Sequence, residues 1–190
     1  MSKIVVLNRV SLDGYFASND QATWGMSWFV QDPDVEAFAH ERIHSDTLLL
    51  GGQTFRGFER MWVPLLRDPN APEPMKVVAQ ELTDMTKVVF SRELTSTDWD
   101  NTEFHSDGLE ATAGRLREAD GADLLVLGSG SIVQQLAAHD LIDEYVLIET
   151  PVIAGSGKRM FAEGHAQPLT LLTAKSFGSG NAVLHYEVQR

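Results

Sequence analysis

Cysteine is absent from all 190 residues, which removes disulfide frameworks, thiolate nucleophiles and Cys-based zinc or iron sites. No apolar run approaches the roughly 20 residues that span a bilayer. The opening Met1-Ser2-Lys3 leads into a short apolar segment unlike a signal peptide, so the expectation is a cytoplasmic protein with no membrane partner. Basic residues are scarce: 15 Lys and Arg stand against 27 Asp and Glu, a formal charge of −12. That field repels a phosphate backbone, and no Lys/Arg stripe reverses it locally, which argues against nucleic acid as a partner. Proline is sparse as well, and four of the seven fall between Pro64 and Pro74, a segment that reads as an extended surface loop. What remains is an ordinary globular composition, 43% apolar and without repeats, sized for one domain over residues 1–190.

Short apolar runs alternate with helical patterns. Lys3 to Asn8 (KIVVLN) reads as a buried strand followed by a turn at Ser11-Leu12-Asp13-Gly14. Ala17 to Asp32 reads as a loop carrying Trp24, Trp28 and Phe29. A helix is expected from Asp32 or Pro33 to about Ser45, with Val35, Phe38, Ala39 and Ile43 on one face. Strands follow at Thr47 to Leu50 and Lys87 to Phe90, and a helix is expected from Thr54 to Arg60. Further helices are expected between Gly108 and Gly121 and from Ser131 to His139. The end is strand-rich: Glu144 to Thr150, Leu169 to Phe177 and Ala182 to Gln189, the last two joined by the hairpin signal Gly178-Ser179-Gly180-Asn181. The pattern implies an α/β fold with a mixed, mainly parallel central sheet flanked by helices and an antiparallel C-terminal hairpin.

The densest chemical information lies from Asp123 to Phe161. There a strand, Leu124 to Leu127, breaks at Gly128-Ser129-Gly130-Ser131 straight into a helix, which is how a chain presents bare backbone N–H groups to a phosphate. Val133 stands where the dinucleotide fingerprint G-x-G-x-x-G needs its third glycine, so a nucleotide fold other than the Rossmann type is favoured. Gly51-Gly52-Gln53-Thr54 repeats the device, with Thr54 as hydroxyl donor or cap, and Ser91-Arg92 places an Arg just past a third strand. Three such strand ends fit the rule that ligands bind where the strands of an open α/β sheet terminate.

Two rival motifs are weaker. His40-Glu41-Arg42-Ile43-His44 matches H-E-x-x-H, in which two helical His bind zinc beside a Glu base, but no third ligand is evident and metal is not expected. Gly155-Ser156-Gly157-Lys158 fails as a P-loop, because Val152 holds the first Gly position and Arg159 replaces Ser/Thr.

VSLDGYFA (Val10 to Ala17), LLLGGQTF (Leu48 to Phe55), KVVFSREL (Lys87 to Leu94), LLVLGSGSIVQQL (Leu124 to Leu136) and LIDEYVLIETPVIAGSGKRMF (Leu141 to Phe161) occur in order across nearly the whole chain. Together they resemble the dihydrofolate reductase-like family, in particular the group related to the C-terminal reductase domain of bacterial riboflavin biosynthesis. The resemblance implies a sheet of about eight strands with NADPH bound across the strand ends. It implies that Gly51, Gly52, Gln53, Thr54 and Phe55 open a helix facing the cofactor phosphates, and that Ser91 and Arg92 contact the adenosine 2′-phosphate. Gly128, Ser129, Gly130, Ser131 and Ile132 would lie against the pyrophosphate and nicotinamide side, and Val10 and Ser11 beside the nicotinamide. Ser11 and Trp24 would border the substrate. Many relatives carry Arg where this chain has Gly52, which leaves Arg56 or Arg92 to compensate.

The expected function is therefore hydride transfer from NADPH to a small heterocycle, with Asp13 or a water supplying a proton. The bland role for Asp13 is to stabilise the turn ahead of Gly14. The acid on the early helix of dihydrofolate reductases has no clear counterpart here, since spacing lands near Val35 between Asp34 and Glu36. The alternatives are a non-catalytic nucleotide-binding or dimeric scaffold and, further off, a zinc hydrolase. The tail hairpin offers a face for a homodimer.

Overall fold

The computed structural model describes residues 1–19, 27–119 and 121–190. In chain order they form β1 (Ile4–Ser11), β2 (Tyr15–Ala17), α1 (Pro33–His40), β3 (Ser45–Gly51), α2 (Gly52–Arg67), α3 (Glu73–Asp84), β4 (Thr86–Phe90), β5 (Thr102–His105), α4 (Leu109–Glu118), β6 (Asp123–Leu127), α5 (Gly130–Ala138), β7 (Glu144–Thr150), β8 (Lys158–Arg159), β9 (Leu169–Ser176) and β10 (Ala182–Val188). Eight strands make one sheet in the order β5-β4-β3-β6-β1-β7-β10-β9, and β2 pairs with β8 in a small separate ribbon. The first six strands of that order run parallel, while β10 is antiparallel to both β7 and β9. The mainly parallel sheet with an antiparallel C-terminal hairpin is the architecture that the strand-rich tail implied. No helix among the described residues is long and apolar enough to cross a membrane.

β1 lies inside the sheet and reads IVVL because both its faces are covered. Ile4 and Val6 join the cluster beneath α4 and α5, with Leu109, Ala113, Ile132 and Leu136. Val5 and Leu7 join the opposite cluster beneath α1, α2 and α3, with Val35, Ala39, Phe55 and Leu82. The period-two alternation of Cβ direction thus divides one apolar run between two cores.

Three local expectations are corrected. Residues 64–74 are no extended loop: α2 continues to Arg67 with Pro64 inside its last turn, and α3 begins at Glu73 with Pro74 in its first turn. Pro74 is tolerated because the N–H groups of a first turn have no helical partner to lose. Pro64 does remove one helical bond, and Phe55, Phe58, Trp62 and Val63 hold α2 on the core around it. The first helix stops at His40 with Glu41 as C-cap, several residues before Ser45, which already belongs to β3. β2, β5 and β8 have no counterpart in the sequence reading, being two to four residues long and too short to display a period.

Lys87 stands out within β4. It is wholly buried, and its ammonium donates to the carbonyls of Leu82, Thr83 and Met85 at 2.9, 2.9 and 2.6 Å, capping the C-terminal end of α3. Trp99 covers it, 4.9 Å from ring centroid to Nζ, and itself donates to Thr83 Oγ1 at 2.8 Å. Burial pushes the ammonium down to about 8, which leaves it largely protonated near neutrality, as three carbonyl acceptors require. Lys87→Met strands those carbonyls away from water and is expected to cost about 3 kcal/mol, read as a lowered urea midpoint with unchanged slope.

Candidate functional site

β3 and β6 are parallel neighbours, yet their following helices depart to opposite faces. α2 drops Phe55 into one core, and α5 drops Ile132, Val133 and Leu136 into the other. The chain therefore parts at the C-terminal ends of β3 and β6, the place where open α/β sheets form a ligand crevice. Neither helix has a side-chain cap. α2 starts behind Gly51, and α5 behind Ser129, whose backbone is left-handed at φ 52°. The Ser129 hydroxyl turns away from its own helix and accepts the Gly51 N–H at 2.8 Å across the gap. Two helices, of 16 and 9 residues, consequently bring first-turn N–H groups without side-chain partners to one opening. The result is a locally positive, donor-rich floor in an acidic protein.

Close approach dictates the glycines. A Cβ on Gly52 would stand 2.8 Å from Ser91 Oγ and 2.9 Å from Ser91 Cβ, and one on Gly130 would stand 2.6 Å from the Phe16 ring. One on Gly128, already at φ 63°, would meet Thr54 Cγ2 at 3.2 Å. Gly52 is thus a packing necessity where the ends of β3 and β4 meet, and no side chain takes its place without moving Ser91. The Ser91 hydroxyl accepts the N–H groups of Glu93 and Leu94 at 3.2 and 3.0 Å and so turns the chain after β4. Arg92 is exposed beside it with no ion-pair partner among the described residues, whereas Arg56 faces Glu93 at 3.4 Å.

The sequence-predicted residues divide by what their side chains do. Gly51, Gly52, Thr54, Ser91, Gly128, Ser129 and Gly130 come together through the contacts above. Gln53 and Ser131 are exposed in the first turns of α2 and α5. The Phe55 side chain is wholly buried beside Trp99 and Phe104, 5.7 and 5.5 Å away between ring centroids, and anchors α2 in the core. Val10 and Ile132 are likewise core residues. Trp24 lies outside the described residues.

Asp13 is held within its turn. Its carboxylate accepts from Ser11 Oγ at 2.7 Å, from the Ala154 N–H at 2.9 Å and from the Gly155 N–H at 2.8 Å. These bonds, the Ser11 hydroxyl first, hold its pKa down at about 2. So bonded, it works as a clamp tying the β1–β2 turn to the stretch before β8. Ser11 is spent in the same clamp, its hydroxyl also accepting the Tyr15 N–H at 3.0 Å.

Asn8 escaped the sequence reading. It is buried, accepts the Gly128 N–H at 2.9 Å and reaches Met160 Sδ at 3.2 Å, so it fixes the glycine turn from the neighbouring strand. Its only signal was a polar residue closing an apolar run. On the early helix Glu36 is engaged by the guanidinium of Arg9, whose other arm donates to the Val30 carbonyl at 3.2 Å. His40 ends α1 and His44 lies beyond it, so the H-E-x-x-H pattern has no continuous helix. No group of three His, Asp or Glu suited to a metal occurs among the described residues.

The profile of the RibD C-terminal domain matches residues 2–183. The uncharacterized protein YyaP of Bacillus subtilis is 26% identical over 186 residues, 97% of this chain and 94% of its own. Among solved structures, a protein ascribed to riboflavin biosynthesis from Shewanella sp. PV-4 superimposes with a TM-score of 0.70 at 22% identity, covering 99% of each chain. A Thermotoga maritima diaminohydroxyphosphoribosylaminopyrimidine deaminase/5-amino-6-(5-phosphoribosylamino)uracil reductase gives 0.64 at 17%, over 99% of this chain and 57% of that one. Enterococcus faecalis dihydrofolate reductase in complex with NADP(H) gives 0.63 at 12%, over 99% and 97%. The likeness to these structures establishes a dihydrofolate reductase-like fold.

Because folding lowers the pKa of Asp13, its contribution to stability is present above the ordinary value of 3.8 and is lost as pH falls through about 2. Hydrogen exchange at Ala154 and Gly155 should therefore stay slow to about pH 4 and accelerate between there and pH 2, while Asp13→Asn should show the faster exchange already at pH 7.

Proposed function

The chain belongs to the RibD C-terminal domain family, and on that premise we propose that it is an NADPH-dependent reductase acting on a small heterocyclic substrate. The observation that carries this reading is the pair of helix N-termini held face to face by the Ser129–Gly51 hydrogen bond. Its donor set suits a diphosphate: backbone N–H groups at Gly52 to Thr54 and at Gly130 and Ser131, with Thr54 Oγ1 on the rim. In this reading Arg92, exposed past β4, takes the 2′-phosphate. NADP(H) is the ligand of the E. faecalis reductase that shares the fold, and a uracil reductase activity is named for the T. maritima protein.

NADPH supplies the hydride when bound. The chain's own part is to orient and to exclude water: Asn8 and Thr54 hold the Gly128 turn rigid, and the Asp13 clamp fixes the β1–β2 turn next to the end of β1. Both nearby carboxylates are committed, Asp13 to three donors and Glu36 to Arg9. Neither serves as general acid, and the proton that completes the reduction comes from water.

The same reading includes a homodimer joined at the sheet edge. β9 is an outermost strand of eight residues with Leu171 and Leu172 about half exposed, the kind of apolar edge that a monomer normally blunts. Leu171→Lys with Leu172→Lys should convert a dimer to a monomer in light scattering after gel filtration, and a wild-type monomer at micromolar concentration would overturn this assignment.

Titration of the purified protein with NADPH, followed by nicotinamide fluorescence, is expected to saturate. Gly128→Val should abolish the signal, since its Cβ meets Thr54, and Arg92→Ala should weaken NADPH about tenfold while leaving NADH unchanged. Absence of saturable binding by the wild type would sink the reductase reading.

A further inference from the structure

The end of β4 and the first turns of α2 bring Arg56, Arg92 and Glu93 to one rim of the candidate site, and one of the three has the wrong sign for an anion. Gly52 opens α2, and Arg56 follows four residues later on the same helical face, its side chain leaning back toward the helix start. The turn after β4 is seated on that face: a Cβ on Gly52 would stand 2.8 Å from Ser91 Oγ and 3.4 Å from Leu94 Cδ1. Arg56 thus rises over the turn that carries Arg92 and Glu93. Its Nη1 lies 3.4 Å from Glu93 Oε2, and the first turn of α2 holds no acidic residue of its own.

The backbone of Glu93 is fixed where it stands. Ser91 Oγ accepts the N–H groups of Glu93 and Leu94 at 3.2 and 3.0 Å, and the Ser91 N–H donates to the His105 carbonyl at the end of β5 at 2.8 Å. The two side chains are loosely held by comparison. Arg56 is 47% exposed and Glu93 77%, and an ion pair so open to water is worth little and exchanges readily for a stronger anion. A carboxylate brings one negative charge to a guanidinium, whereas a phosphate monoester brings about two and accepts two parallel hydrogen bonds. Glu93 therefore stands in for a phosphate in the free protein.

We infer that Glu93 is a specificity-determining residue of the cofactor site: it occupies Arg56 and opposes the 2′-phosphate of NADPH, which meets Arg92 directly and Arg56 only by displacing a carboxylate. This rests on the reductase reading, which supplies the ligand. The unphosphorylated dinucleotide meets no such opposition, because a ribose 2′-hydroxyl donates to a carboxylate. The consequence is a narrowed preference for NADPH over NADH.

The test is calorimetric titration of the full chain with NADPH and with NADH, in the wild type, Glu93→Gln, Arg56→Ala and the double variant. Glu93→Gln should raise NADPH affinity about threefold, the scale of an exposed ion pair, and leave NADH within about twofold of the wild type. Arg56→Ala should cost about twofold in NADPH affinity in the wild-type background and about sixfold in the Glu93→Gln background, a non-additivity that marks groups acting through one another. Melting temperatures should stay unchanged, since both side chains are largely solvated. Equal changes for NADPH and NADH in Glu93→Gln, a loss of NADPH affinity there, or additive effects of the two substitutions would overturn the assignment and spare the reductase. Absence of saturable NADPH binding by the wild type removes the cofactor reading itself, and this assignment with it.

Discussion

Parallel strands β3 and β6 lie side by side, but the helices that follow them bury their apolar stripes on opposite faces of the sheet. Neither helix can cover the gap between the strand ends, and backbone groups are left there that no helical bond satisfies. The Ser129 hydroxyl bridging to Gly51 closes the floor of that gap, and most of the candidate site depends on this one crossing. Gly52 admits Ser91, Gly128 admits Thr54 and Gly130 admits Phe16, so each glycine is the reciprocal of a neighbour that packs into the space a Cβ would fill. Asn8 then pins the Gly128 turn from the adjacent strand.

A second constraint acts on the other side of β1. The carboxylate of Asp13 gathers a hydroxyl and two backbone N–H groups from segments far apart in the chain and joins the β1–β2 turn to the approach to β8. The ribbon of β2 and β8 is too short to persist alone. It is held by this clamp, by Phe16 on Gly130 and by Gln134 donating to the Arg159 carbonyl at 3.1 Å. The electrostatics follow from the same arrangement: in a chain of net charge −12, two helix N-termini and Arg92 make the field locally positive over the few ångströms at these strand ends.

Much of this was legible in the residues. The apolar runs at Lys3 to Asn8, Leu124 to Leu127 and Glu144 to Thr150 are strands, Gly178 to Asn181 is the hairpin turn, and Gly51 and Gly128 do stand at strand ends. What misled was local chemistry overruled at a distance. Proline suggested a loop at residues 64–74, but the apolar stripe of α2 reaches Arg67 regardless of the hydrogen bond lost at Pro64. Phe55 sits inside a ligand-type motif and yet serves the core, since a motif records spacing and not the direction in which each side chain points.

Alternation of apolar and polar residues by itself determined the strands, the helical faces and the turns, because those patterns act over the few residues that one element spans. The tertiary structure alone decided which turns meet. Asn8 finds Gly128 and Asp13 finds Gly155 across separations of 120 and 142 residues. Such pairings arise from strand order, a property of the whole sheet: the local run Ser11 to Gly14 marks Asp13 as a turn-stabilising carboxylate, and only the sheet brings it the Ala154 and Gly155 N–H groups.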